Sequence, residues 1–111
     1  MKLFIRCTFF ISQGNQELLK AAKNGNVELV RSLLSDSETD PDTRDGINKT
    51  ALILASELGH ESVVKLLLTN PKVNVNAVDI EGKTPLIHAS VNGRDKIIQI
   101  LLEDRNKGIY K

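Results

Sequence analysis

The chain has 111 residues, enough for a single domain with a modest core. Its hydrophobic fraction is 41% but only 4% is aromatic, so the core must be built from Leu, Ile, Val and Ala, which suits helices packed through small side chains better than aromatic-rich strands. With 15 basic and 14 acidic residues the net charge is +1, which demands no polyanionic partner; one cysteine, Cys7, rules out an intrachain disulfide and points to a reducing, cytoplasmic compartment rather than secretion; and no run is long enough to span a membrane.

Residues 1–13 form an N-terminal extension of distinct composition. It holds all three phenylalanines, Phe4, Phe9 and Phe10, together with Ile5 and Ile11. Two readings are open. In one, Lys2 and Arg6 are the basic region of a leader and Cys7 to Ile11 its apolar stretch, with Ser12 and Gly14 suiting a cleavage site. Against it, that stretch is about five residues where roughly 7–15 are expected. In the other, the segment is a strand or extension packed on the unit that follows. Bulky, charged Arg6 argues against reading Cys7 as a lipid-bearing residue.

Residues 14–45 are the first of three related units. Leu18, Leu19, Ala21 and Ala22 recur at helical spacing and Gly25 ends that helix, while Val27, Leu29, Val30, Leu33 and Leu34 predict a second. The acidic run Asp36, Glu38, Asp40, Asp42 and Asp45 then alternates in a way that invites a calcium reading. An EF-hand loop needs Gly at its sixth position and Glu at its twelfth; counted from Asp36 these are Pro41 and Ile47, so the run reads as a solvated loop, open at most to a basic partner.

Residues 46–79 form the second unit. Its segment from Lys49 to Gly59 reads Lys-Thr-Ala-Leu-Ile-Leu-Ala-Ser-Glu-Leu-Gly, and it returns thirty-four residues later, from Lys83 to Gly93, as Lys-Thr-Pro-Leu-Ile-His-Ala-Ser-Val-Asn-Gly. Gly25, Gly59 and Gly93 keep that register. A repeat at such a period predicts a stacked solenoid. The second helix of this unit carries Val63, Val64, Leu66, Leu67 and Leu68.

Residues 80–104 form the third unit. Val and Asn alternate from Val75 towards Ile80, and Asp79 with Gly82 predicts a turn. Thr84 is a helix cap and Pro85 sits where its missing N–H costs nothing. A second helix starts near Asp95 and carries Ile97, Ile98, Ile100, Leu101 and Leu102. Asp45, Asn48 and Thr50 match Asp79, Gly82 and Thr84, and Asn can replace Gly there because it tolerates a left-handed backbone. Residues 105–111 are a C-terminal tail. The predicted class is all-α, a short solenoid of helix–turn–helix units linked by β-hairpin-like loops. Ala21-Ala22, Ala55-Ser56 and Ala89-Ser90 are small where neighbouring helices must approach closely.

The segments Val75 to Asp79 and Lys83 to Gly93, with Gly59 to Leu68, resemble ankyrin repeats, and the resemblance covers about residues 15–104. The period is thirty-four where thirty-three is typical of the family, the extra residue falling in the loops after Leu34 and Leu68. The usual Thr-Pro-Leu-His becomes Thr-Ala-Leu-Ile at Thr50 and Thr-Pro-Leu-Ile at Thr84, which bears on a local hydrogen bond and not on the fold.

Solenoid ends need polar outer faces. In the first unit Lys20 stands where the others carry Leu54 and His88, and Ser32 where they carry Leu66 and Ile100, as expected of an N-terminal cap. The third unit keeps the internal pattern. An apolar patch near Ile98 and Leu102 is therefore expected, covered by a folded-back tail through Ile109 and Tyr110, by self-association or another partner, or by the rest of a longer array.

Candidate chemistry is sparse. His60, at the start of a second helix, is expected to bridge a turn. His88 is expected to be partly buried and hydrogen-bonded to a neighbouring loop. No nucleophile, base and orienting group converge in the sequence, so neither an enzyme nor a cofactor or metal site is expected. Lys and Arg are spread rather than striped with aromatics, so no nucleic-acid partner is expected either.

What the resemblance implies is a protein partner, held on a concave surface made by hairpin tips and the inner face of the first helices. The positions that map there are Lys23 and Asn24 in the first unit. In the second they are Gly46, Ile47, Lys49, Glu57 and Leu58, and in the third Ile80, Glu81, Lys83, Val91 and Asn92. These vary between units while the frame residues match. Ile47, Leu58, Ile80 and Val91 are apolar at positions expected to be exposed, a plausible contact core. The competing reading is a segment of a longer repeat protein with no partner of its own.

Overall fold

Helix α1 covers residues 14–24. It is followed by α2 (Val27–Leu34), α3 (Ala51–Leu58), α4 (Glu61–Leu68), α5 (Pro85–Val91) and α6 (Asp95–Ile109). The computed structural model describes residues 14–109, with side chains through Asp104. The expectations for residues 1–13, for Tyr110 and for the Ile109 side chain lie outside the described residues. No strand occurs among those described, and the links are turns.

Each inner helix begins and ends where the local chemistry dictates. Thr50 Oγ1 accepts from Ile53 N at 3.3 Å and Thr84 Oγ1 from Ile87 N at 3.2 Å, while Pro85 takes the first turn of α5. Each such cap contributes about 1 kcal/mol. At the other end the residue after each glycine reaches back five positions: Asn26 N to Ala21 O at 2.9 Å, His60 N to Ala55 O at 2.9 Å and Arg94 N to Ala89 O at 2.8 Å. That bond needs a left-handed residue before it, and Gly25, Gly59 and Gly93 supply it. The hairpin turns also repeat. Asp45 N donates to Lys49 O at 3.0 Å and Asp79 N to Lys83 O at 3.1 Å, and Asn48 adopts φ 64° where Gly82 has φ 78°.

The helices form two layers. In the inner layer α3 lies against α5, and in the outer layer α4 packs against both α2 and α6. Ala55 and Ala89 are fully buried, as the close approach of the inner helices requires. Around them Leu18, Ala22, Val30, Leu52, Val63, Val64, Leu67 and Ile97 make one continuous core that α1 joins through Leu18, Ala21 and Ala22. Helix α6 is 15 residues long where α2 and α4 are 8. Residues 105–109, expected as a tail, continue it as helix. Glu103 to Lys107 contain no breaker, so the helix runs on where Asn70-Pro71 stops its counterpart.

Candidate protein-binding surface

Neighbouring units are tied together at both ends of the inner helices. At the hairpin tips Ile80 N donates to Ile47 O at 3.0 Å, and Arg44 Nη1 donates to Val78 O at 2.8 Å. Below them Asn74 N donates to the Asp42 carboxylate at 3.0 Å. At the C-terminal ends His60 Nε2 donates to Lys23 O at 2.9 Å and Arg94 Nε to Glu57 O at 3.2 Å. His60 and Arg94 are thirty-four residues apart, as are Lys23 and Glu57, so these two bonds are one junction used twice. His60 bridges a turn, as expected from sequence.

Ties at both ends make α3 and α5 run side by side in the same direction. The exposed apolar residues expected at these ends are in place: Ile47 is 48% exposed, Ile80 68%, Leu58 40% and Val91 69%. Ile47 and Ile80 adjoin through the tip hydrogen bond. Leu58 and Val91 end neighbouring helices. Lys23, Asn24, Glu81 and Asn92 are exposed as well.

Other candidate residues already have partners. Lys49 Nζ and Glu57 Oε1 pair at 2.8 Å, with side chains only 16% and 28% exposed, so this pair braces the tip against α3. Lys83 and Glu81 form a looser, exposed pair at 3.6 Å. Asn92 Nδ2 donates to His88 O at 2.8 Å and closes the end of α5. Two further exposed apolar residues were not anticipated: Val78, 42% exposed, beside the tips, and Ile87, 41% exposed, on the outward side of the third unit. The alternation through Val75 and Ala77 is a signal for Val78, since neighbours in an extended stretch face opposite ways. Ile87 had none, because its counterpart Ile53 is fully buried.

The two histidines and the acidic loop are engaged in hydrogen bonds within the repeat frame. His88 Nε2 lies 2.7 Å from Asp79 Oδ2, and both side chains are buried. Asp79 Oδ1 also accepts from Glu81 N at 2.9 Å and Lys83 N at 3.0 Å. Burial pushes the Asp79 carboxyl up, but the hydrogen bonds from Lys83 N, His88 and Glu81 N together outweigh it and hold the pKa at about 2. With both side chains buried, the pair latches the Asp79–Lys83 hairpin turn onto α5. In the acidic loop Asp36, Asp40 and Asp45 accept backbone N–H groups two residues on, and Asp42 accepts from the next unit. The carboxylates of Asp36, Asp40 and Asp45 serve local turns, and that of Asp42 joins the first unit to the second.

No helix among the described residues is long and apolar enough to cross a membrane. No curated protein matches the chain at a significant level. A family model described as ankyrin repeats, three copies, matches residues 18–110. That span takes in the three units from Leu18 onwards, with their junctions and the exposed apolar ends, and repeats of this kind are generally protein–protein interaction modules. The chain belongs to the ankyrin-repeat family.

Proposed function

We propose that this chain is a non-enzymatic, cytoplasmic module that holds a protein partner on its concave face, at the hairpin tips and the C-terminal ends of the inner helices. The observation that carries this reading is the exposure of Ile47, Leu58, Ile80 and Val91, four apolar side chains on a frame tied at both ends. Single exposed apolar residues are ordinary, but a group set on a rigid scaffold among polar neighbours has the composition of a contact core with a polar rim. Lys23, Asn24, Glu81, Lys83 and Asn92 supply the rim, and the Lys49–Glu57 brace holds the second tip in position. The balanced charge favours a protein partner over nucleic acid or an anionic membrane surface.

The test is a pull-down with the intact chain and with Ile47, Leu58 and Val91 all changed to Ser. Partners retained by the first are expected to be lost by the second, with helicity by circular dichroism nearly unchanged. Undiminished retention would rule this surface out. A second reading, an array segment or a self-associating chain that docks through Ile98 and Leu102, is favoured by the 43% exposure of Leu102 and the partial burial of Ile98.

A further inference from the structure

The third unit differs from the second mainly on the side facing away from the stack. Leu52, Ile53, Ser56 and Val64 are almost completely buried. Their counterparts thirty-four residues on, Leu86, Ile87, Ser90 and Ile98, are partly or well exposed, Ile87 at 41%. On the side facing the second unit there is no such difference: Ala55 and Ala89, Val63 and Ile97, Leu67 and Leu101 are buried alike. What buries this face of the second unit is the third unit itself.

The polar half of the junction is open in the same place. Gly25 is covered by the His60 ring and Gly59 by the Arg94 guanidinium, each of which donates to the carbonyl two residues before its glycine. Gly93 has no described residue within 4 Å of where a Cβ would stand. Two residues before it, no described residue donates to Val91 O, and at the tip none donates to Ile80 O, the counterpart of the paired Ile47 O.

We propose that this face is a docking surface for one further helix–turn–helix repeat, recognised by a long donor side chain, Arg or His, that lies over Gly93 and donates to Val91 O. The proposal rests on the array-segment reading above, not on self-association, and adds the recognition chemistry. A second copy of this chain, docked by its leading edge, fits poorly. Its counterpart of His60 and Arg94 is Asn26, which is short and whose Oδ1 is held by Leu29 N at 3.2 Å. Its counterparts of Leu54 and Leu66 are exposed Lys20 and Ser32.

The experiment duplicates residues 69–102 in place after Leu102, so that a second Arg94 follows the first by one period while the remainder of the chain is kept. Amide exchange in α5 is expected to slow by roughly tenfold or more, because its open face becomes internal. Gly93→Ala is expected to become more damaging in the duplicated chain than in the natural one. Replacing the added Arg94 by Ala should reverse much of both effects. Stabilisation that ignores this replacement overturns the donor recognition while leaving the array reading standing. A duplicated chain with unchanged α5 exchange overturns both. Sedimentation of the natural chain is an independent check: a monomer is expected, and a dimer dissolved by Ile87→Lys would overturn the proposal in favour of self-association.

Discussion

Gly25, Gly59 and Gly93 hold one turn conformation, with φ of 73°, 84° and 68°, and differ in what stands over them. Substituting each by Ala therefore separates the backbone cost from the cost of disturbing the inter-repeat junction. A left-handed backbone costs an L-residue about 1–2 kcal/mol, and Ala recovers about 0.4–1 kcal/mol by restricting the unfolded chain. At Gly93, where a Cβ meets no described residue within 4 Å, only these terms act, and the net cost is about 1 kcal/mol. At Gly59 the Cβ would lie 3.1 Å from Arg94 Nε, so the guanidinium must shift and its bond to Glu57 O weakens. Charged hydrogen bonds are worth about 1.5–3 kcal/mol, discounted here for partial exposure, which brings the total to about 2–3 kcal/mol. At Gly25 the Cβ would stand 2.7 Å from His60 Nδ1. A ring moves as a whole, so the bond to Lys23 O is lost with the packing, and the total is about 2–4 kcal/mol. Urea unfolding followed by circular dichroism, compared at unchanged m, gives the three values. Equal costs at the three sites, or a largest cost at Gly93, would refute the view that His60 and Arg94 form one repeated junction.

Two further perturbations test the core and the buried latch. Ala55→Leu and Ala89→Leu place added bulk where helices touch at fully buried positions, and each should cost about 1–3 kcal/mol by thermal melting; a neutral result would mean the inner helices are not closely packed. Asp79, held at about 2 when folded, binds its proton first in the unfolded chain as pH falls. Its stabilising effect is therefore present above the usual carboxylate value of about 4 and is lost as pH falls through about 2. Allowing for screening at the turn, this amounts to about 1–2 kcal/mol. His88→Leu, which restores the residue type found at Leu54, removes one of three donors to this carboxylate, so the acid-linked loss should shrink; urea midpoints at about pH 7 and about pH 3 measure it, and an unchanged loss would show that His88 does not set the Asp79 value.

The repeat frame was legible because it rests on local chemistry. Thr50 and Thr84 cap their helices with their own hydroxyls, and Asn48 takes the left-handed turn that Gly82 takes one period later. Such features depend on a few neighbouring residues, so a single sequence reveals them. The candidate surface was half legible. The exposure of Ile47, Leu58, Ile80 and Val91 follows from their place in the period. The Lys49–Glu57 brace joins residues eight apart on different elements, and no helical or strand spacing signals it.

Ile53 and Ile87 separate the two levels most clearly. Both follow a Thr-capped turn, both sit third in their helix, and both are flanked by Leu and Ala at matching positions. Sequence alone determined that each lies in a helix starting at Thr50 or Thr84, in a chain of three stacked units. Only tertiary structure decided that Ile53 is fully buried while Ile87 is 41% exposed. The physical reason is that in a solenoid a residue's burial depends on the next unit along, and hydrophobic burial is a property of the contact and not of the residue.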